Sequence, residues 1–145
     1  MPDAGLIIGY TTGVFDLFHI GHLNLLRRAK ENCDILYVGV TSDELVSYKH
    51  KKPIIPFEER IQIVRSIRYV DEAIAQEDMD KLGAWKRLGF SKMFVGSDWK
   101  DQPTWLEFER QFAEVGVEIV YFPYTAGTSS TLINQTLLNL RKIED

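Results

Sequence analysis

The sequence of 145 residues contains one cysteine, Cys33, so no internal disulfide framework can hold it together. It has no basic excess either. With 17 Lys and Arg against 21 Asp and Glu, the net charge is -4, which gives no support for nucleic-acid binding, an activity that needs a basic surface. No apolar run approaches the roughly 18 residues of a membrane-spanning helix, and no basic, apolar leader opens the chain. These absences lead us to expect a cytoplasmic protein with no membrane and no nucleic-acid partner. Repeats, low-complexity stretches and linkers are also missing, and the length suits one domain, residues 1–145, rather than two.

What is present is an ordinary globular composition, 45% hydrophobic and 26% charged, arranged as an alternation of short apolar runs and helical periodicities. Runs at residues 6–11, 35–40, 69–74, 93–96 and 118–122 suit buried strands. Helical spacing falls between them, at residues 23–31, 57–68, 79–88 and 103–113, with a last apolar helix after residue 131. Pro56 suits a helix start and Gly89 a helix stop. Strand, helix, strand with short joins implies right-handed crossovers and a five-stranded parallel sheet, a single doubly wound, Rossmann-like α/β domain. Ligands of such sheets sit beyond the carboxyl ends of the strands.

The first of those ends carries Gly13-Val14-Phe15-Asp16-Leu17-Phe18-His19-Ile20-Gly21-His22. Its two histidines stand three apart at a helix start, on one face. Unpaired N–H groups at that end attract anions, and histidine N–H donors would add to them. Gly21 removes a side chain where a phosphate or a base would approach. Two other readings stay open. The pair could ligate a metal, although no third ligand follows nearby, or it could be structural, one histidine capping and one packing.

Other stretches carry similar alternatives. Tyr48-Lys49-His50-Lys51-Lys52 is either a solvated charge cluster or a set of cations for phosphate oxygens. Arg60 and Arg68 could pair with Glu58, Glu59 and Asp71. Lys81 reads as a surface lysine. Asp98 and Trp99 serve either as a helix cap and a core residue or as a hydroxyl acceptor and a stacking face. The small hydroxyl residues from Thr128 to Thr131 cap a helix, and the same groups can cradle phosphate. Cys33 has no evident activating partner, which argues against a thiol mechanism.

The run V-F-D-L-F-H-I-G-H resembles the F-D-x-x-H-x-G-H signature of the cytidylyltransferase branch of the nucleotidyltransferases, and residues 124–131, Y-T-A-G-T-S-S-T, resemble its second signature, R-T-x-G-I-S-T-T. The Y-V-D-E wording at residues 69–72 and the D-W pair at 98–99 add to the likeness, which covers nearly the whole chain and is nearest to the small bacterial glycerol-3-phosphate cytidylyltransferases. The resemblance implies transfer of a cytidylyl group from CTP to glycerol 3-phosphate. The acceptor phosphate would attack the α-phosphate in line, giving CDP-glycerol and pyrophosphate with no covalent enzyme intermediate.

It implies catalytic roles for His19, His22, Lys49 and Lys51, and nucleotide contacts from Val14, Phe15, Gly21, Lys52, Asp98, Tyr124, Thr125, Thr128, Ser129, Ser130 and Thr131. Acceptor contacts would come from Arg60, Lys81 and Trp99. Magnesium would arrive with the CTP phosphates, the enzyme would be a homodimer, and its product would feed cell-surface polymer synthesis. Tyr124 departs from the family arginine and Thr128 from its isoleucine; a tyrosine cannot neutralise charge or grip two oxygens. Two alternatives accompany this reading. One is transfer to ethanolamine, choline or another polyol phosphate, or adenylyl transfer. The other is a nucleotide-binding module that has lost turnover.

Overall fold

The structure, a computed structural model, describes residues 5–47, 52–97, 100–123 and 130–144. The elements run β1 (Ile8–Gly13), α1 (Ile20–Glu31), β2 (Ile35–Thr41), α2 (Asp43–Ser47), α3 (Phe57–Arg65), β3 (Glu72–Gln76), α4 (Lys81–Leu88), β4 (Lys92–Gly96), α5 (Pro103–Glu114), β5 (Glu118–Phe122) and α6 (Ser130–Glu144). All strand pairs are parallel, and the five strands lie in the order β3-β2-β1-β4-β5. The expected doubly wound sheet is therefore observed. β1 is its central strand, and the winding reverses between β1 and β4, so the loop after β1 opens where such sheets bind ligands.

Alternation along the strands divides the core between two faces. On β4, Phe94 joins one cluster with Leu26, Ala29, Leu36, Val38, Val40, Ile61 and Val64, beneath α1 and α3. Its neighbours Met93 and Val95 join the other with Tyr10, Ala84, Phe90, Trp105 and Phe112, beneath α4 and α5. Both faces of the sheet are thus covered, which is why its strands read as continuous apolar runs. Trp105, 8% exposed, and Phe57, packed on the first cluster, belong to this core.

Some boundaries differ from expectation for a traceable reason. The first strand begins at Ile8 rather than at residue 6, because the Ile7 N–H donates to the Asp34 carboxylate at 2.7 Å, and Leu6 and Ile7 lie 47% and 36% exposed. Similarly, β3 begins at Glu72 rather than at residue 69. Asp71, just before it, accepts the Leu36 N–H at 2.7 Å and the Lys30 ammonium at 2.6 Å. α3 ends at Arg65 rather than at 68. The Ser66 hydroxyl donates to the Gln62 carbonyl at 2.9 Å, and Ile67 N–H to Val64 O and Val70 N–H to Ile67 O make single tight turns instead of another helical one. α4 starts two residues later than expected, where Asp80 caps it by accepting the Gly83 N–H at 2.9 Å. It stops at Gly89, whose φ of 69° is the left-handed conformation that glycine adopts without penalty.

Candidate active site

The two histidines form the start of α1 between them. His19 is its N-cap, with Nδ1 accepting the Gly21 N–H at 3.0 Å, while His22 Nδ1 accepts the His19 N–H at 3.2 Å. This is a reciprocal capping box built from imidazoles instead of a hydroxyl and a carboxylate. The rings lie 4.0 Å apart between centroids, and His22 also packs on Phe15 and Phe18. An Nδ1 that accepts a backbone hydrogen bond carries no proton, so in the neutral ring the proton is on Nε2. Burial lowers the pKa of both. For His22 it falls to about 4, through burial and then the neighbouring His19, against the opposing charge of Asp16. At neutral pH the pair therefore presents two uncharged Nε2–H donors. Among the described residues, no group of three or more His, Cys, Asp or Glu is arranged to hold a metal.

The turn that delivers these rings is strained. Phe15 and Leu17 have φ of 55° and 51°, a region that costs residues other than glycine on the order of 1 kcal/mol or more each. Two side chains hold it there. Asp16, between the strained residues, accepts the N–H groups of Ile54 and Ile55 at 2.9 and 3.0 Å, which ties the end of the lysine-bearing segment to the histidine turn. Arg60 supplies the second hold.

Arg60 corrects an expectation. Rather than facing the acceptor, it is 0% exposed and spends its guanidinium on the protein, donating to Val14 O at 2.7 Å, Thr41 O at 2.8 Å, Ile55 O at 2.8 Å and the Asp43 carboxylate at 2.5 Å. The ends of β1 and β2, the start of α2 and the loop before α3 all meet on this one side chain. Four carbonyl or carboxylate acceptors converge on it, and a planar fork satisfies them better than any other cation. Asp43 also accepts the Phe57 N–H at 3.2 Å. Sequence reading had not assigned Asp16 or Asp43 a role. Asp16 stood inside the motif, and that was the available signal.

Lys81 likewise departs from the surface position expected of it. It is 5% exposed, with its ammonium 5.2 Å from the Trp105 ring centroid and 5.6 Å from that of Phe108. It lines a cavity of about 310 Å³ at the carboxyl ends of the strands, with Thr12, Val14, Thr41, Gln76 and Gly96. A buried hydrogen bond from the Thr41 hydroxyl to Gln76, 2.8 Å, fixes one wall.

The remaining expected residues are placed as follows. The ring of Phe15 is buried in the core, leaving its backbone as the part that can meet a ligand. Val14 reaches the cavity, the Gly21 N–H is used by His19, and Lys52 is exposed two residues before the Asp16 latch. Lys49, Lys51, Asp98, Trp99, Tyr124, Thr125, Thr128 and Ser129 lie outside the described residues, as do the side chains of Ser130 and Thr131.

Comparison with known proteins shows the family. Residues 10–136 match the family described as cytidylyltransferase-like. A glycerol-3-phosphate cytidylyltransferase of Staphylococcus aureus is 37% identical over 128 residues, 88% of this chain and 92% of that protein. An FAD synthase of Archaeoglobus fulgidus is 35% identical over 109 residues, 75% of this chain and 79% of that protein. Among solved structures, the lipopolysaccharide core biosynthesis protein of Thermoplasma volcanium superposes with a TM-score of 0.72 at 25% identity, covering 86% of this chain and all of its own. With a family match over residues 10–136 and a relative 37% identical over 88% of its length, the chain belongs to the cytidylyltransferase-like nucleotidyltransferases.

Proposed function

We propose that this protein transfers a cytidylyl group from CTP to glycerol 3-phosphate, releasing pyrophosphate and CDP-glycerol. The observation that carries the reading is the histidine capping box. It holds two neutral imidazoles with both Nδ1 atoms engaged, so each has an Nε2–H to offer. The similarity to the Staphylococcus aureus glycerol-3-phosphate enzyme supports the choice of acceptor.

In this reading an oxygen of the acceptor phosphate attacks the α-phosphorus of CTP as the bond to the pyrophosphate oxygen breaks. Charge grows on the non-bridging oxygens of the five-coordinate phosphorus. Catalysis of such a step rests on positioning and on fixed donors rather than on a protein nucleophile. His19 and His22 donate to those oxygens without reorganising. Lys49 and Lys51 follow the charge onto the leaving pyrophosphate, and the 124–131 segment with the start of α6 holds the nucleotide phosphates. Magnesium enters as part of the substrate, carried on the CTP phosphates, where it neutralises charge.

The test is pyrophosphate release from CTP, ATP, GTP and UTP, each offered with glycerol 3-phosphate, ethanolamine phosphate, choline phosphate or ribitol phosphate, with His19→Ala as control. Release with CTP and glycerol 3-phosphate that disappears in the control is the expected result. Turnover of ATP would move the protein towards the chemistry of its FAD synthase relative. Nucleotide binding without turnover would mark a silent module and point to Tyr124.

A further inference from the structure

Three of the four strand pairings run to the carboxyl ends of their strands. β1 and β2 stay in register to Gly13↔Val40, β2 and β3 to Thr41↔Gln76, and β4 and β5 to Gly96↔Phe122. The β1/β4 pairing stops early. It joins Gly9 to Lys92 and Tyr10 to Met93 and goes no further, although both strands continue for three more residues. The cavity opens in that seam, lined by Thr11, Thr12 and Gly13 from one strand and Phe94, Val95 and Gly96 from the other. Where the next ladder step would fall, a side chain crosses instead. The Thr11 hydroxyl, on a residue only 1% exposed, donates to the Phe94 carbonyl at 2.9 Å, and Thr11 and Phe94 are the pair that would follow in the interrupted register. Ladder bonds hold neighbouring strands about 4.8 Å apart. A hydroxyl carried on a side chain reaches across a wider gap and still satisfies both buried polar groups.

We infer that the Thr11 hydroxyl is a splint that sets the width of the crevice between β1 and β4, which makes Thr11 a positioning residue for the transfer. The inference rests on the transfer reading above and adds to it a residue that acts through the two strands. β1 runs from Thr11 through Gly13 into the turn that carries His19 and His22, and β4 runs from Phe94 through Gly96 towards Asp98 and Trp99, where the resemblance places nucleotide and acceptor contacts. Past the last ladder pair, the Thr11–Phe94 bond ties one arm to the other. Without it the histidine donors shift relative to the nucleotide, and a displacement of about 1 Å is enough to slow an in-line transfer severely. Nucleotide affinity depends less on this bond, because in the same reading the 124–131 segment and the start of α6 hold the phosphates. The Thr41–Gln76 bond at the β2/β3 seam differs in kind: it lies on an intact ladder, so it fixes a wall without setting a spacing.

The experiment measures kcat and the KM for CTP, with glycerol 3-phosphate saturating, in the full chain and in Thr11→Val, Thr11→Cys and Thr11→Ser, at a temperature where circular dichroism and urea titration show each to be folded. Thr11→Val keeps the shape and removes the donor, and its kcat is expected to fall roughly tenfold or more with the KM for CTP within about threefold of wild type. Thr11→Ser keeps the hydroxyl and should restore kcat to within about threefold of wild type, while Thr11→Cys, with a weak S–H donor, should fall between the two. If Thr11→Val does not fold, the order of serine above cysteine carries the test. A lowered urea midpoint with kcat unchanged in the folded valine or cysteine variant would show that the bond only stabilises the sheet, and would overturn the inference alone. So would a loss carried by KM with kcat intact, or a serine variant as slow as the cysteine one. Absence of turnover in the wild type overturns the transfer reading and this inference with it.

Discussion

The histidine turn and the Lys81 cavity lie next to each other at the carboxyl ends of the strands, and they handle charge in opposite ways. In the turn, charge is suppressed. Burial keeps both imidazoles neutral, and backbone hydrogen bonds fix which nitrogen bears the proton. In the cavity, a formal cation is enclosed, with aromatic faces against its ammonium. The first arrangement offers direction, two donors aimed by a helix cap and a strained loop. The second offers a field. An in-line transfer between two anions needs both, because attraction alone brings the substrates together without aligning them, and aligned donors alone do not overcome their repulsion.

Removing direction should have the largest effect. His22→Ala eliminates one donor and the acceptor for the His19 N–H, and kcat is expected to fall by about 100- to 1000-fold, the range for losing one donor to a developing oxyanion. KM for CTP should change far less. A variant with kcat intact would remove the histidine pair from the chemistry and leave the cavity as the active element. Next in size is Arg60→Met, which tests whether the turn needs its buried clasp. Three carbonyls and the Asp43 carboxylate lose their donor at once. A loss of about 3 kcal/mol is expected, read as a shift in urea midpoint. A loss below about 1 kcal/mol would show that the strained turn holds itself.

How much of this was legible follows from the kind of signal each residue leaves. The alternating strands and helices were, because both sheet faces are covered and strands such as β2 read as unbroken apolar runs. The histidine pair was, because its hydrogen-bond partners lie inside the motif itself, the Gly21 N–H for His19 and the His19 N–H for His22. Arg60 was misread because its acceptors are mainly main-chain carbonyls, which leave no trace in a sequence. Lys81 was read as a surface residue because its burial depends on α5 crossing beside α4, and nothing near position 81 announces Trp105 and Phe108. The strand starts at β1 and β3 were displaced for a similar reason, since carboxylates of Asp34 and Asp71 take N–H groups that pattern alone assigns to the ladder.

The contrast also has a pH signature. The folded pKa of His22, about 4, lies below its ordinary 6.5, so the unfolded chain takes up that proton first. The stability it contributes is complete above pH 6.5 and is lost as the pH falls towards 4. Between pH 7 and pH 5 this amounts to about 2 kcal/mol. It should appear as a steeper loss of urea stability in the wild type than in His22→Asn, and as an imidazole resonance titrating near pH 4. A midpoint near the ordinary 6.5 would mean that the ring is solvated and that the turn does not suppress charge.

The smallest expected effect concerns the join between direction and charge. Asp16 carries no substrate role in this reading, yet it grips the Ile54 and Ile55 N–H groups and so fixes where the segment carrying Lys49, Lys51 and Lys52 returns to the histidine turn. Asp16→Asn keeps the size and one acceptor oxygen but presents an amide N–H₂ to the second backbone donor, so one of the two bonds is lost. About 1.4 kcal/mol, or tenfold in kcat/KM for CTP, is expected, carried mainly by KM, because the lysines are displaced while the histidine donors stay capped. The kcat term separates this from damage to the turn itself, which would lower kcat as His22→Ala does. If neither parameter moves, the lysine segment finds the nucleotide without the latch, and the two regions act independently.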